Sequence, residues 1–285
     1  MKLDTKKSIL IVGLGLIGGS YARALTKKGY TVRAITKDPS SIDFALREGI
    51  IAEGTTVVNE RTVGDADIII FCLYPKVFCE WIEKYQKYIK SGAIITDVTG
   101  VKAPIVYKIQ EMLRDDIEFI PAHPMAGREV YGVENSDDRI FRGANYIVTP
   151  TDKNTREATE LCAELGAELG FGNVAVTSPE EHDDMIGYLS QLTHCIAISL
   201  MTCRDCEHFI KYTGDSFRDL TRISRINEDM WSELFSLNKD SLVAQMETFE
   251  KEFSRLKHML ENDDIEGMKE MMRRSTERRK MFDKV

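Results

Sequence analysis

This chain of 285 residues lacks the features that indicate a nucleic-acid-binding, disulfide-rich or disordered protein. The formal net charge is -8, so there is no excess of Lys and Arg to cover the phosphates of a nucleic acid. The six cysteines show no disulfide-framework spacing, and a chain of this length does not need one. No low-complexity tract suggests disorder. These absences predict a folded, reduced, cytoplasmic protein with no nucleic-acid partner.

Membrane and metal signals are also weak. The stretch MKLDTKKSILIVGLGLIGGS begins basic and turns apolar, but four glycines interrupt it and no cleavage site follows. No other apolar run approaches the roughly 20 residues that cross a bilayer. Cys203 and Cys206 form a C-x-x-C pair without a second pair, which favours ordinary thiols over a metal site. We therefore expect neither a membrane partner nor a metal.

The apolar patterns that are present divide the chain into two regions. Up to about residue 178, strand-length runs alternate with helical patterns, which indicates a parallel sheet covered by helices. The runs are ILIV, TVRAI, DIIIFCL, AIITDV, IEFIP, NYIVT and VAVT. Beyond residue 179 only helix-length patterns occur. The sequence thus predicts an α/β fold, with a domain of parallel sheet and helices over 1–178 and an all-helical domain over 179–285.

One helical pattern in the second region is unusually regular. Its apolar residues are spaced alternately four and three apart: Leu242, Met246, Phe249, Phe253, Leu256 and Leu260. This spacing gives one continuous apolar side that must pack against another surface. A homodimer formed through residues 180–285 is the simplest way to cover it.

A glycine pattern follows the first predicted strand. Gly13, Gly15 and Gly18 form G-x-G-x-x-G between a strand and a helix. In a Rossmann unit these glycines permit a tight turn, close approach of a pyrophosphate and close helix packing. Leu16 and Ile17 begin the helix, whose N-terminus favours an anion. The pattern favours a bound dinucleotide over a merely structural turn, and it makes residues 1–178 a Rossmann-type dinucleotide-binding domain.

The end of the second strand bears on the choice between NAD and NADP. An enzyme that prefers NAD usually carries Asp or Glu there to hold the ribose 2′-hydroxyl. Here Thr36 stands at that end, and Lys37 or Arg33 offers a cation for a 2′-phosphate, which slightly favours NADP. A shift of two residues in the strand end would bring Asp38 into place and restore the NAD interpretation.

The segment HPMAGRE comes directly after the apolar run IEFIPA. We expect His123 to emerge at the carboxyl end of that strand, at the sheet edge where the nicotinamide half of a cofactor lies. An imidazole suits proton transfer because its pKa lies near neutrality. The alternative is a histidine that only caps a loop.

Five motifs together resemble the prephenate dehydrogenases, and the similar arogenate dehydrogenases, of tyrosine biosynthesis. They are GLGLIGGS, TDVTGVK, HPMAGRE, EEHDDMIGYLSQLTH and RDLTRISRINEDMW, and they extend over nearly the whole chain. The resemblance implies NAD(P)-dependent oxidative decarboxylation of prephenate to 4-hydroxyphenylpyruvate, or of arogenate to tyrosine. The remaining alternatives are another oxidoreductase of Rossmann plus helical plan and a non-enzymatic nucleotide sensor.

The resemblance also implies roles for individual residues. His123 matches the histidine that deprotonates the substrate hydroxyl, and Arg222 matches the arginine that holds a substrate carboxylate. His194 and Trp231 match residues that line the substrate pocket, so the resemblance implies an all-helical substrate-binding and dimerisation domain over 179–285. Asp219, one helical turn before Arg222, is expected to orient it. Without the resemblance, Arg218, Asp219 and Arg222 would be interpreted as a surface ion-pair cluster.

Two positions depart from the family pattern. Gly100 stands where many relatives carry a serine that hydrogen-bonds the catalytic histidine, and we expect Thr99 to supply that hydroxyl. Arg128 stands where relatives often carry a small or hydroxyl residue. It is interpreted as contacting a substrate carboxylate, the cofactor or solvent. Glu129, next to it, is assigned to substrate binding.

Overall fold

The computed structural model describes residues 3–205 and 207–283. Cys206 of the C-x-x-C pair therefore lies outside the described residues, whereas Cys203 is exposed with a free thiol. The chain divides into two compact units, Met1–Asn238 and Lys239–Val285. The domain boundary at residues 178 and 179 stays a prediction.

The strands of the described part are β1 (Ile9–Val12), β2 (Val32–Ile35), β3 (Glu53–Thr55), β4 (Ile68–Phe71), β5 (Ile94–Asp97), β6 (Glu118–Phe119), β7 (Ala122–Met125), β8 (Asn145–Val148) and β9 (Asn173–Val176). The α-helices are α1 (Leu16–Lys27), α2 (Pro39–Arg47), α3 (Glu60–Val63), α4 (Pro75–Tyr85), α5 (Ala103–Met112), α6 (Arg156–Leu169), α7 (Pro179–Ile186), α8 (Leu192–Thr202), α9 (Asp215–Thr221), α10 (Glu228–Leu237), α11 (Lys239–Glu261) and α12 (Ile265–Lys280). A π-helical turn, Gly187–Gln191, joins α7 to α8.

Six parallel strands form the larger sheet, in the order β3-β2-β1-β4-β5-β6. This is the strand order of a dinucleotide-binding fold, and it confirms the predicted Rossmann-type α/β architecture. Strand β3 was not among the predicted runs, because its residues EGT form a short, partly exposed edge with no apolar pattern. The carboxyl ends of β1, β4 and β5 meet at one edge of the sheet.

Successive residues of the central strands point to opposite faces of the sheet and enter two separate cores. Ile9 and Ile11 of β1 pack with Tyr21 of α1 on one face. Leu10 and Val12 pack on the other face with side chains of α4 and α5. Because both faces are covered, these strands are apolar at every position rather than at alternate ones.

The predicted position of His123 is wrong in one respect. The run IEFIPA does not form one strand that ends at His123; β6 stops at Phe119 and a new strand, β7, begins at Ala122. Strand β7 pairs antiparallel with β8, which pairs parallel with β9, in a second, three-stranded sheet. Pro121 lies at the break, where its missing N–H prevents it from continuing the first ladder. His123 thus lies within a strand of the smaller sheet.

After residue 179 the described part of the chain contains helices and no strand, as predicted. Helix α7, the π turn and α8 follow one another without interruption over Pro179–Thr202. By length and composition alone this segment could cross a bilayer, although the sequence patterns predicted no such span. It carries Glu180, Glu181 and Asp183, and side chains of both its helices line the cleft described below. We therefore interpret it as a helix of the functional site.

The unit Lys239–Val285 contains α11 and α12, which pack against each other. Helix α11 includes all six residues of the predicted apolar seam. Leu242 is buried, but Phe249, Phe253 and Leu260 are 38%, 62% and 65% exposed. A considerable part of the seam is therefore uncovered in the single chain.

Candidate active site

A cleft of about 660 Å³ lies at the carboxyl ends of β1, β4 and β5, bordered by β7 and by helices of the region after residue 179. Predicted site residues that line it are Gly15, Leu16, Ile17, Gly18, Thr99, His123, Arg128, Glu129, His194 and Trp231. Those outside its lining are Gly13, Thr36, Lys37, Asp219 and Arg222. The structure thus brings the glycine turn, the strand bearing His123 and the helical residues to one place.

The glycine turn fits a dinucleotide. Gly13 has a φ of +99°, and a Cβ there would lie 2.3 Å from the carbonyl oxygen of Cys72. A Cβ on Gly18 would lie 2.0 Å from the carbonyl oxygen of Gly13, so helix α1 can pack here only without a side chain. Nothing lies within 4 Å of a Cβ at Gly15, which begins α1 without a side-chain cap. The first turn of α1 therefore offers open space and uncapped N–H groups to a pyrophosphate.

Two cations near the end of β2, Arg33 and Lys37, were predicted to bind a 2′-phosphate, and the structure separates them. Arg33 donates to Ser8 Oγ at 3.2 Å and pairs with Asp65, both of which precede strands and so lie at the amino edge of the sheet. That excludes Arg33 from the cofactor edge. Thr36 is half-buried and Lys37 exposed directly after β2.

Asp38 caps helix α2. Its carboxylate accepts from the N–H groups of Ser40 and Ser41 at 3.0 and 3.2 Å, and from both serine hydroxyls. These hydrogen bonds, chiefly those of the hydroxyls, lower the pKa of the Asp38 carboxyl. The carboxylate that would favour NAD is therefore engaged within its own helix.

His123 presents one ring nitrogen to the cleft and one to the protein. Its Nδ1 lies 2.9 Å from Nε2 of His182. A Cβ built on Gly100 would lie 3.8 Å from its Nε2, on the cleft side. Burial, then the neighbouring His182 and Lys102, hold the pKa of His123 well below its ordinary value. The imidazole is therefore neutral at neutral pH and can accept a proton.

A buried row of polar groups continues behind His123. His182, which is fully buried, places its Nδ1 2.8 Å from Oδ1 of Asp183. The two carboxylate oxygens of Asp183 accept the backbone N–H groups of Lys102 and Ala103 at 2.7 and 2.8 Å. The start of helix α5 thus fixes Asp183, and through it His182.

A second buried group lies beside this row. Lys102 Nζ donates to both carboxylate oxygens of Asp97 at 2.9 and 2.8 Å and also to the carbonyl of Ala122, the residue before His123. Burial lowers the pKa of the Lys102 ammonium, and the Asp97 carboxylate opposes that shift. Thr99 Oγ1 bonds Asp97 and the carbonyl of Val101. The expected bond from the Thr99 hydroxyl to His123 is therefore wrong, because that hydroxyl is engaged with Asp97.

Two aromatic rings form the helical side of the cleft. The rings of His194 and Trp231 are tilted by 32° with centroids 3.8 Å apart. His194 donates from Nδ1 to the carbonyl oxygen of Ser190 at 2.9 Å, which leaves Nε2 as an acceptor. Burial lowers the pKa of His194. This pair supplies a flat, neutral wall.

Charged residues lie at the rim. Arg222 pairs with Glu129, so its predicted orientation by Asp219 is wrong: the partner comes from the loop after β7, not from the preceding helical turn. Arg128 Nη2 lies 3.4 Å from Asp137 Oδ2 and is half exposed. Arg225, which the sequence interpretation passed over, lines the cleft itself.

The residues missed by sequence reasoning are His182, Asp183, Lys102 and Arg225. The first three stand inside motifs that were recognised, EEHDDMIGYLSQLTH and TDVTGVK, but their contacts join positions 59 and 81 residues apart. The sequence signal that could have identified Lys102 is its position shortly after Asp97, which ends a buried apolar strand. Among residues 3–205 and 207–283 there is no group of three His, Cys, Asp or Glu side chains suited to a metal.

Comparisons with known proteins agree with this geometry. Residues 21–174 match the family model of the prephenate dehydrogenase nucleotide-binding domain, and residues 178–274 match that of the prephenate dehydrogenase dimerization domain. Prephenate dehydrogenase of Bacillus subtilis is 30% identical over 92% of this chain and 72% of that protein. Cyclohexadienyl dehydrogenase of Zymomonas mobilis is 27% identical over 96% of this chain and 95% of that protein.

A solved structure is similar over the whole length. Prephenate dehydrogenase from A. aeolicus, in complex with hydroxyphenyl propionate and NAD+, superimposes with a TM-score of 0.89 and 31% identity, covering 99% of this chain and 100% of that one. The two family models together account for most of the chain, in the order of the two predicted regions. The chain is therefore an oxidoreductase that belongs to the prephenate dehydrogenase family.

Proposed function

We propose that this protein oxidises and decarboxylates prephenate to 4-hydroxyphenylpyruvate with a nicotinamide dinucleotide. The observation that carries the proposal is the cleft itself, in which a neutral imidazole, His123, faces the same space as the uncapped helix N-terminus at Gly15. A nucleotide sensor would need no base there. Another oxidoreductase of similar plan would not need the cations and rings of the helical side.

The reaction removes a hydride from the ring carbon that bears the hydroxyl, and that hydroxyl loses its proton. When bound, the dinucleotide supplies the hydride acceptor, held by Gly13, Gly15 and Gly18. His123 takes the hydroxyl proton at Nε2 as the C–O bond gains double-bond character. Loss of CO₂ then leaves its bonding electrons in the ring, which becomes an aromatic phenolate, and the phenolate takes a proton back to give the hydroxyl of the product. The flat rings of His194 and Trp231 suit a planar product.

Substrate charge requires cations, since prephenate carries two carboxylates. Arg225 lines the cleft, and Arg222 stands at its rim against Glu129. A guanidinium fork can hold a carboxylate with two parallel hydrogen bonds. We propose that Arg222 exchanges Glu129 for a substrate carboxylate and that Arg225 serves the other one.

Replacing Arg222 with Gln should raise KM for the substrate at least tenfold with a smaller change in kcat, because binding of ground state and transition state is lost together. Steady-state kinetics at saturating cofactor measure this. Arg218→Gln is the matched control, since Arg218 pairs with Asp215 on the exposed side of α9. An unchanged KM in Arg222→Gln would assign Arg222 to a surface ion pair.

For the cofactor we propose NADP rather than NAD. Thr36 offers no carboxylate to a 2′-hydroxyl, Asp38 is engaged in capping α2, and Lys37 supplies a nearby cation. The A. aeolicus relative was crystallised with NAD+, which keeps NAD as the alternative. Comparing kcat/KM for the two dinucleotides decides between them.

Arogenate remains the alternative substrate, because it shares the ring and differs only in carrying an amino group in place of the side-chain keto group. Purified protein should be assayed with prephenate and arogenate, each with NAD and NADP, at the absorbance band of the reduced nicotinamide. Turnover of prephenate supports the proposal, turnover of arogenate alone supports the alternative, and turnover of neither rejects both. The cytoplasmic location of the protein and the absence of nucleic-acid and membrane partners stay predictions.

We also propose a homodimer formed through the helical region. Of the 23 large hydrophobic side chains exposed in the described residues, 15 lie beyond residue 179. On helix α11 these include Phe249, Phe253 and Leu260, which belong to one apolar side. An exposed apolar side of this kind is most simply covered by a twofold partner. The matched dimerization-domain model over residues 178–274 supports the same assembly.

Light scattering should therefore give twice the 32.4 kDa of one chain at low micromolar concentration. Phe253→Glu, which places a charge on the exposed part of the seam, should shift the mass toward one chain. Ser254→Glu adds the same charge one residue further, off the apolar side, and should leave the dimer intact. A native mass of 32.4 kDa would contradict the proposal.

A further inference from the structure

We propose that His182 and Asp183 are positioning residues that hold His123 in the tautomer with its proton on Nδ1, so that Nε2 faces the cleft as the proton acceptor. The inference rests on the proposed role of His123 as the base. It concerns which ring nitrogen carries the proton, which the heavy-atom positions determine through the partners of each nitrogen.

Asp183 determines which nitrogen of His182 carries a proton. An ionised carboxylate has only acceptor sites, and both oxygens of Asp183 already accept backbone N–H groups from the start of α5. The 2.8 Å contact between its Oδ1 and His182 Nδ1 therefore requires a proton on that nitrogen. Because His182 is fully buried and burial lowers its pKa, the ring is neutral and carries only this one proton.

His182 in turn determines which nitrogen of His123 carries a proton. With its proton on Nδ1, neutral His182 has a lone pair on Nε2 and can only accept there. The atom 2.9 Å away is Nδ1 of His123, which must then be the donor. Neutral His123 consequently has no proton on Nε2, the nitrogen on the side of Gly100 and the cleft.

The arrangement matters because an imidazole with its proton on Nε2 could not accept one from a substrate hydroxyl. A carboxylate that fixes the tautomer of a catalytic histidine contributes strongly to catalysis in other enzymes, where its amide substitute leaves the wrong tautomer. Here the carboxylate acts through a second imidazole. Lys102 contacts both ends of the row Asp183–His182–His123. Its backbone N–H donates to Asp183, and its ammonium donates to the carbonyl of Ala122, next to His123.

Nitrogen-15 NMR of histidine-labelled protein at pH 7.5 tests the proposal without substrate or cofactor. The chain has five histidines, so single substitutions assign each ring. We expect His123 and His182 to be neutral, each with its proton on Nδ1. A proton on Nε2 of His123 in the unaltered protein would overturn the proposal, whatever reaction the protein catalyses.

Asp183→Asn should lower kcat at least 10²-fold with little change in the KM values, because the asparagine NH₂ can donate to His182 and so reverse both tautomers. NMR should then find the His123 proton on Nε2. Glu181→Gln is the matched control, a carboxylate-to-amide change at an exposed position of the same helix, and should retain turnover. Normal turnover in Asp183→Asn, or loss of turnover with the His123 proton still on Nδ1, would reject the positioning role.

His182→Gln supplies a conservative rescue. The glutamine amide can donate to Asp183 and accept from His123, whereas His182→Leu can do neither. We expect the Gln variant to retain at least tenfold more activity than the Leu variant and to keep the His123 proton on Nδ1. Equal activity in the two would contradict the relay. The NMR result does not depend on turnover of any dinucleotide and substrate pair. Failure of the proposed function can therefore be distinguished from failure of the tautomer assignment.

Discussion

Replacing His123 with Asn is expected to lower kcat by about 10²- to 10⁴-fold, the usual cost of removing a general base. The asparagine amide can still donate to Nε2 of His182, so the buried row behind it keeps its hydrogen bonds. Cofactor affinity should change little, because the base acts on the substrate hydroxyl. Stopped-flow or steady-state assays, with a separate titration of NADP binding, measure the two effects.

The pH dependence of this enzyme provides an independent check. Burial and the neighbouring His182 and Lys102 hold the pKa of His123 below its ordinary value of about 6.5. Turnover by the unaltered protein should therefore persist as the pH falls through 6.5 and decline only below it. The residual activity of His123→Asn should lack that decline. Near-normal turnover in the variant would remove His123 from the mechanism.

Replacing Lys102 with Met should lower the free energy of unfolding by about 3–5 kcal/mol, because it leaves the Asp97 carboxylate buried without its cation. Neither side chain has more than 1% of its surface exposed. Urea denaturation followed by circular dichroism measures the loss. The variant should also lose activity, since the ammonium holds the backbone next to His123.

Arg156→Met is the matched control for this prediction. Arg156 pairs with Glu160 on the surface of α6, where the two side chains are 87% and 58% exposed, and such exposed pairs contribute little to stability. A loss below about 1 kcal/mol in Lys102→Met would show that Asp97 finds another partner or a proton. Changing Asp97 to Leu together with Lys102→Met should restore part of the stability, since neither position of the pair then carries a buried charge.

The sequence predicted those parts of the molecule that depend on local patterns. Buried apolar runs identified the central strands, because each strand feeds two cores and must be apolar at every position. The glycines after β1 form a recognisable pattern because the fold requires glycine there. A Cβ at Gly13 or Gly18 would collide with a backbone carbonyl oxygen. Helical periodicity alone predicted that the described residues after 179 form no strand.

Contacts between distant segments were not predictable in the same way. The break at Pro121 moved His123 into a second sheet, although the run IEFIPA is apolar throughout. Arg222 has a nearby acid in Asp219, yet Glu129, 93 residues away, is its partner. Such pairings are decided by how the elements pack, and neither periodicity nor helical spacing records that.

The π turn at Gly187–Gln191 has a consequence for the rotational phase of the helix that contains it. An α-helix advances about 100° per residue, so positions 182 and 194 would point about 120° apart on an unbroken helix. A π turn accommodates about one extra residue and reverses about 100° of that rotation. His182 and His194 are thereby brought to within about 20° of the same direction, one behind the base and one beside it. The wider turn acts as an angular correction that lets a single helix place one imidazole behind His123 and another in the wall of the cleft.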